Sequence, residues 1–138
     1  MKKIKGEKRK IRISGIIDNT AYGEKASQLE EVIAAVDDDY YNILLSHQPE
    51  QIDSLLEGKF DLILSGHAHG GQWRIPKILD QGLYAPDQGI FPDYTTGMYV
   101  YGDTVHIIST GLAKPLRMIF IPRIFNRPEF SVINIKSR

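Results

Sequence analysis

Three of the four histidines follow short apolar runs. His47 comes after "NILLS", and His67 and His69 lie in "LILSGHAHGGQ". Neutral imidazole is a common ligand for divalent metals, and two histidines two residues apart in a turning segment can point to the same side. The surrounding glycines allow backbone conformations that other residues resist. The pattern predicts a metal-binding turn, and the alternative is a pair of polar residues on an exposed turn.

Three imidazoles can hold one cation with an open position, where a bound water of lowered pKa becomes a hydroxide for hydrolysis. His47 taken alone would equally fit a strand end whose side chain caps the next helix. Asp18, Asp53 and Asp61 are the carboxylates near strand ends or a helix, but none has a convincing spacing to the histidines. The residues alone therefore do not assemble a two-metal site.

His106 alternates with Val105 and Ile107 in a predicted strand. Its side chain should point to the opposite face from theirs. We interpret it as structural.

The elements that must position the histidines follow from hydrophobic periodicity. Apolar residues from Ile11 to Ile17 predict a first strand, and one apolar helical face predicts a helix at about 27–36. The runs "YYNILLSH" and "FDLILSGH" predict two strands separated by a helix that begins at Pro49 and ends at Gly58. Such apolar strands are typical of an α/β sheet buried on both faces, with ligands at the carboxyl ends of its strands.

The second half differs in character. Residues 76–97 read as a long loop, "GMYVYGDTVHIIST" as a hairpin turning at Gly102–Asp103, and "PEFSVINIK" as a closing strand whose apolar members begin with Phe130. We expect one domain over residues 1–138 with a basic lead or linker at 1–10.

Composition excludes several classes of site. The chain has no cysteine, which rules out disulfides, thiolate zinc sites and cysteine nucleophiles. No apolar run approaches the roughly 18 residues of a membrane span, and the basic start is not followed by a signal-peptide core. The cluster Lys2–Arg12 could meet an anionic surface, but it lacks interleaved aromatics, so nucleic acid is an unfavoured partner.

The segments "NILLSHQPE" and "DLILSGHAHGGQWRIP" closely resemble the C-terminal half of the calcineurin-like metallophosphoesterases, in the bacterial branch with a Gly-His-x-His-Gly-Gly-Gln signature. Further similar segments are "ISGIIDN", "ISTGLAKPLR" and "RPEFSVINI". The resemblance implies an α/β fold bordering on α+β, which is part of the family's β-sandwich flanked by helices. It also implies hydrolysis of a phosphoester substrate.

The resemblance further implies a two-metal centre holding Mn, Zn or Fe. His47 and His67 would bind one metal and His69 the other. The implied substrate-side residues are the backbone of Gly70 and Gly71, then Gln72, Arg74 and Arg117. Guanidinium groups suit phosphate oxygens because they pair with them bidentately.

The family's N-terminal motifs are absent. No Asp-x-His or Asn-His pair occurs, so the bridging aspartate and the proton-donating histidine have no counterpart and no catalytic residue is assigned. The late Gly-Leu-Gly reads Gly111-Leu112-Ala113. Because three histidines neutralise two adjacent cations poorly, we expect at most one metal in this chain alone. We also expect the chain to be inactive and poorly stable alone. It should depend on an N-terminal half-domain, which another chain would carry if this one is truncated.

The alternative is a non-catalytic metal-binding relic. The branch acts on varied phosphomonoesters, phosphodiesters and pyrophosphate-linked lipids, so the sequence does not select a substrate. The cytoplasm is the default expectation for location, although relatives often carry a membrane anchor or an export signal.

Overall fold

The computed structural model describes residues 10–18, 22–75, 77–112 and 122–136. Its strands and helices are β1 (Lys10–Gly15), α1 (Tyr22–Ala34), β2 (Tyr40–Leu45), α2 (Ile52–Leu55), β3 (Leu62–Ser65), β4 (Tyr84–Ala85), β5 (Gly89–Ile90), β6 (Gly97–Tyr101) and β7 (Thr104–Ile108). Two 3-10 turns, Pro49–Gln51 and Leu56–Gly58, extend α2 at both ends. Among these described residues no helix is long and apolar enough to cross a membrane.

Five of the strands form one mixed sheet in the order β1-β2-β3-β7-β6. The neighbours from β1 to β7 are parallel, whereas β6 pairs antiparallel with β7 through a hairpin at the predicted Gly102–Asp103 turn. β4 and β5 form a separate two-stranded sheet within the predicted loop. Parallel strands joined by helices confirm the predicted α/β class.

Both helices pack on one face of this sheet. Leu44 of β2 and Ile63 of β3 are paired in register and contact Leu55 and Phe60, and all four are almost fully buried. The apolar stripe from Leu29 to Ile33 in α1, together with Val36 just after the helix, packs against the same core, as its spacing predicts. α1 begins at Tyr22, several residues before the predicted start.

The other face is apolar and partly uncovered; we call it the open sheet face. It consists of Ile11, Ile13, Ile43, Leu45, Leu62, Leu64, Met98, Val100, Val105 and Ile107, which lie on one side because the strand registers align them. Ile43 and Leu62 in the middle are buried, but Ile13, Met98 and Val100 are 64%, 69% and 57% exposed. The expectation of a sheet buried on both faces is therefore wrong for its outer strands.

The predicted closing strand does not form. Residues 128–136 have no strand assignment, and Phe130 and Val132 are 76% and 72% exposed. Upstream of them, Ile124 makes an isolated parallel bridge to Trp73. An alternating apolar pattern indicates which side chains could be buried, but a strand also needs a neighbouring strand with free hydrogen-bonding groups.

Candidate metal centre

Three polar side chains meet where three parallel strands end. Asp18 follows β1, His47 follows β2 and His67 follows β3. One potential ligand atom from each lies within 4.8 Å of the others. His47 Nε2 is 3.7 Å from Asp18 Oδ2, and the two imidazole rings are 4.9 Å apart in an edge-to-face arrangement. Two imidazoles and a carboxylate are nitrogen and oxygen donors that suit a divalent metal.

The backbone holds these strand ends in line beyond the strands themselves. The Ser46 N–H donates to the Leu64 carbonyl at 3.0 Å, and the Gly66 N–H donates to the His47 carbonyl at 3.1 Å. His67 has a φ of +62°, which turns the chain away immediately after this pairing. The histidines are therefore placed by backbone geometry rather than by free loop ends.

A second carboxylate contacts the group from the β4–β5 turn. Asp87 Oδ2 lies 2.8 Å from His67 Nε2 and accepts a hydrogen bond from the Gln48 side chain at 3.2 Å. Sequence reasoning missed Asp87, whose only signal is its place in the turn-forming "APDQG". It also found no convincing spacing for Asp18, which the topology brings to the histidines.

Among the described residues, His69 does not belong to the group formed by Asp18, His47 and His67. Its φ is +48°, and its Nδ1 lies 3.2 Å from the guanidinium of Arg123. Burial is the largest cause that lowers the pKa of His69, and the nearby charges of Arg123, His67 and His47 lower it further. An uncharged imidazole is therefore favoured at this position. That His69 binds a second metal stays a prediction.

Gly70 and Gly71 continue the turn with φ values of +64° and +71°. Asn126 Nδ2 donates hydrogen bonds to the carbonyls of His69 and Gly70 at 2.6 and 3.2 Å. The Gln72 side chain is buried. Their substrate-side roles stay predictions.

Of the two predicted substrate-side arginines, the structure describes Arg74. Arg74 is half-buried and lines a separate cavity of about 510 Å³ with residues of the segment 125–129. Arg117 and Ala113 lie outside the described residues, so the structure gives no position for them.

An open cavity of about 420 Å³ adjoins the Asp18–His47–His67 group. Its lining includes Asp18 and His47 together with Leu45 and Leu64. Since Leu45 and Leu64 belong to the open sheet face, the candidate metal centre and that face share one continuous surface.

His106, Asp61 and Asp53 are the other residues that the sequence analysis considered, and among the described residues they do not belong to the Asp18–His47–His67 group. His106 is fully buried, and its Nε2 lies 2.9 Å from Ser65 Oγ. Burial lowers the pKa of His106 to about 4. Asp61 accepts a hydrogen bond from the backbone N–H of Asn42 at 2.8 Å, and Asp53 is exposed in α2.

The chain is similar to several curated metallophosphoesterases. YkuE, an uncharacterized metallophosphoesterase of Bacillus subtilis, is 33% identical over 111 residues, which cover 78% of this chain and 35% of that protein. An uncharacterized metallophosphoesterase of Helicobacter pylori is 40% identical over 116 residues, which cover 79% of this chain and 29% of that protein. The phosphodiesterase YaeI of Escherichia coli is 28% identical over 93 residues, which cover 67% of this chain and 32% of that protein.

No family model and no solved structure matches the chain. The chain spans about a third of the length of the curated relatives. These matches confirm the family resemblance predicted from the histidine segments, and they identify the chain as a metallophosphoesterase relative that covers part of the family's length.

Proposed function

We propose that this chain supplies one side of a metal-dependent phosphoester hydrolase site, in which Asp18, His47 and His67 bind one divalent cation. The observation that carries the proposal is the convergence of their ligand atoms within 4.8 Å at the end of three parallel strands. The site opens onto a cavity large enough for water and part of a substrate. His47 and Asp18 are about half exposed, so a ligand can reach them from solvent.

The donor set fits Zn, Mn or Fe. Two imidazole nitrogens and one carboxylate leave further coordination positions open, and the chain has no thiolate that would select a softer metal. When bound, such a cation would lower the pKa of a water molecule and polarise a phosphoryl oxygen. Asp87 Oδ2 contacts Nε2 of His67, so a metal bound at that nitrogen would require the carboxylate to move or to join the ligands.

One cation is the stoichiometry that the charges favour. Asp18 is the carboxylate of the group among the described residues, and Asp87, which contacts His67, adds one more negative charge nearby. Two adjacent dications would repel each other strongly with so little compensation. The bridging carboxylate and proton donor of a complete two-metal site would come from a segment that contains the family's N-terminal motifs.

We place that segment over the open sheet face. The face continues into the cavity at Leu45 and Leu64, so a polypeptide packed there would also enclose the candidate metal centre. Patches of exposed apolar residues on this scale are typical of interaction sites. The N-terminal half is then either an earlier part of the same polypeptide or a second chain.

Metal binding can be tested by calorimetric titration of the chain with Zn²⁺. We expect one site, with affinity reduced at least about tenfold by Asp18→Asn, because a charged ligand is lost. Asp39→Asn is the matched control, since Asp39 is an exposed aspartate that precedes β2, at the opposite end of that strand from His47. Equal affinities for the two variants would exclude Asp18 as a ligand.

Catalysis can be tested with a nitrophenyl phosphodiester and Mn²⁺. We expect no hydrolysis by this chain alone and hydrolysis when an N-terminal half taken from the Bacillus subtilis relative is added. Ile13→Lys, on the open sheet face, should prevent this complementation without weakening Zn²⁺ binding, whereas Ile78→Lys, at another exposed isoleucine, should not. Hydrolysis by the isolated chain that His67→Ala abolishes would contradict the proposal.

A non-catalytic metal-binding domain is the second candidate. It is favoured by the small number of carboxylates that the described residues bring to the two histidines, namely Asp18 and Asp87. It predicts one bound metal and no hydrolysis with or without the added half.

A further inference from the structure

A second cavity shares no lining residue with the cavity at the Asp18–His47–His67 group. It has a volume of about 510 Å³, and its lining residues are Arg74, Phe125, Arg127, Pro128 and Glu129. This volume is in the range of small-molecule sites and is larger than a single inorganic anion requires. The cavity therefore has room for an organic ligand.

Two guanidinium groups in this lining are available to a ligand. Among the described residues, neither the Arg74 nor the Arg127 side chain takes part in a hydrogen bond or an ion pair. Glu129 supplies a carboxylate to the same lining, which leaves an excess of one positive charge. Because guanidinium groups pair with phosphate oxygens bidentately, this charge favours a phosphate.

An aromatic ring is displayed beside these cations. Phe125 is 80% exposed and has a φ of +52°, a backbone conformation that is unusual for a bulky residue. Such conformations persist where the surrounding structure fixes them, and they occur often at ligand sites. A planar group stacked on this ring would remove its apolar face from water.

The neighbouring backbone fixes the positions of Phe125 and Arg74. The Ile124 N–H donates to the Gln72 carbonyl at 3.1 Å, and the Arg74 N–H donates to the Ile124 carbonyl at 3.0 Å. On the other side of Phe125, the Asn126 side chain is buried and its Nδ2 donates to three backbone carbonyls, those of His69, Gly70 and Gln72. Phe125 therefore lies between two anchored residues, so this wall of the cavity exists before a ligand binds.

The lining matches the parts of one class of ligand. The guanidinium groups of Arg74 and Arg127 can hold a phosphate, and the exposed face of Phe125 can stack on a planar base. Glu129 can accept hydrogen bonds from amino or hydroxyl groups of the base or the sugar. We propose that this cavity binds a nucleotide, in which a heteroaromatic ring is joined to a phosphate. The site needs no metal ion and does not rest on the proposed function.

The test measures the binding of adenosine monophosphate to the full chain by calorimetry, in buffer with EDTA so that no divalent metal contributes. We expect adenosine monophosphate to bind at least about tenfold more tightly than inorganic phosphate or adenosine, because each of these lacks either the stacking or the charge-assisted contacts. Equal affinities for adenosine monophosphate and inorganic phosphate would overturn the proposal, since the cavity would then recognise no ring.

NMR shifts locate the bound nucleotide without any substitution. Adenosine monophosphate should shift the side-chain N–H resonance of Arg127 and the ring resonances of Phe125. Phe91 is the internal control, because it is 69% exposed with a φ of +57° but does not line this cavity. Nucleotide binding that leaves Arg127 and Phe125 unchanged would place the ligand elsewhere and contradict the proposal.

Substitutions then test the two kinds of contact separately. Arg127→Met and Phe125→Leu should each weaken binding of adenosine monophosphate about tenfold, because one removes a charge-assisted contact and the other removes the stacking face. The matched controls are Lys59→Met, at an exposed cation after α2, and Phe91→Leu, and both should leave the affinity unchanged. All four side chains are exposed, so urea unfolding should show intact folds. Affinities in Arg127→Met and Phe125→Leu equal to those of their controls would refute the assignment.

Discussion

Acidification should destabilise this chain through His106. The ring is fully buried on the helix-covered side of the sheet, in register with Ile63, and its Nε2 meets Ser65. Its Nδ1 has no hydrogen-bond partner among the described residues. A proton added at Nδ1 would create a buried, unpaired cationic donor, which the interior disfavours strongly.

The size of the effect follows from linkage. Burial lowers the pKa of His106 to about 4 in the folded chain, whereas an unfolded histidine titrates near 6.5. Below pH 6.5 the unfolded chain takes up the proton and the folded chain does not, so stability falls as the pH falls towards 4. Between pH 7 and pH 5 this amounts to about 2 kcal/mol, a large share of the stability of a small domain.

Urea unfolding at pH 7 and pH 5 measures this loss. His106→Leu removes the titrating group. Between pH 7 and pH 5 the free energy of unfolding of this variant should therefore fall by about 2 kcal/mol less than that of the unchanged chain. The comparison cancels the contributions of the other three histidines. Equal pH dependence in the two proteins would show that His106 is not a neutral buried base and would refute the reasoning.

Three further changes test the packing by the same urea unfolding. Gly71→Ala should cost about 3 kcal/mol or more, because φ is +71° and an added Cβ would overlap the Gln81 carbonyl; a smaller loss would contradict the close approach of these two backbones. Leu44→Ala should cost about 3 kcal/mol, since Leu44 is fully buried in the core, and a surface-like cost would place the core elsewhere. Phe130→Ser should change stability by less than about 0.5 kcal/mol, because Phe130 is exposed and belongs to no strand, and a core-like loss would restore the closing strand.

The parts of the fold that the sequence predicts depend on local periodicity. Apolar runs followed by Ser46–His47 and Gly66–His67 mark the carboxyl ends of β2 and β3, and parallel pairing is sufficient to bring these ends together. The stripe of α1 and the hairpin between β6 and β7 are likewise encoded by neighbouring residues. The residues that encode each of these features are close in sequence, so local patterns are sufficient to predict them.

The rest of the candidate site depends on long-range pairing. Asp18 reaches His47 only because β1 lies beside β2, and no spacing in the sequence indicates that order. Arg123 and Asn126 contact the histidine turn after an excursion of more than fifty residues. The exposure of Phe130 has the same origin, since its alternating pattern is that of a strand but no described strand is paired with it.

The order of the central strands has a consequence for folding kinetics. β3 pairs with β7, so Leu62 meets Val105 only after the intervening chain, which contains His67, His69 and Asp87, has closed into a loop. Closing a long loop costs entropy before its contacts form, and such non-local pairings slow folding. We expect β1, β2 and β3 to associate first and the metal centre to acquire its Asp87 side only with the late docking of β7. The proposed ligands Asp18, His47 and His67 follow the three strands that associate first, so metal binding is expected to be possible before this last step.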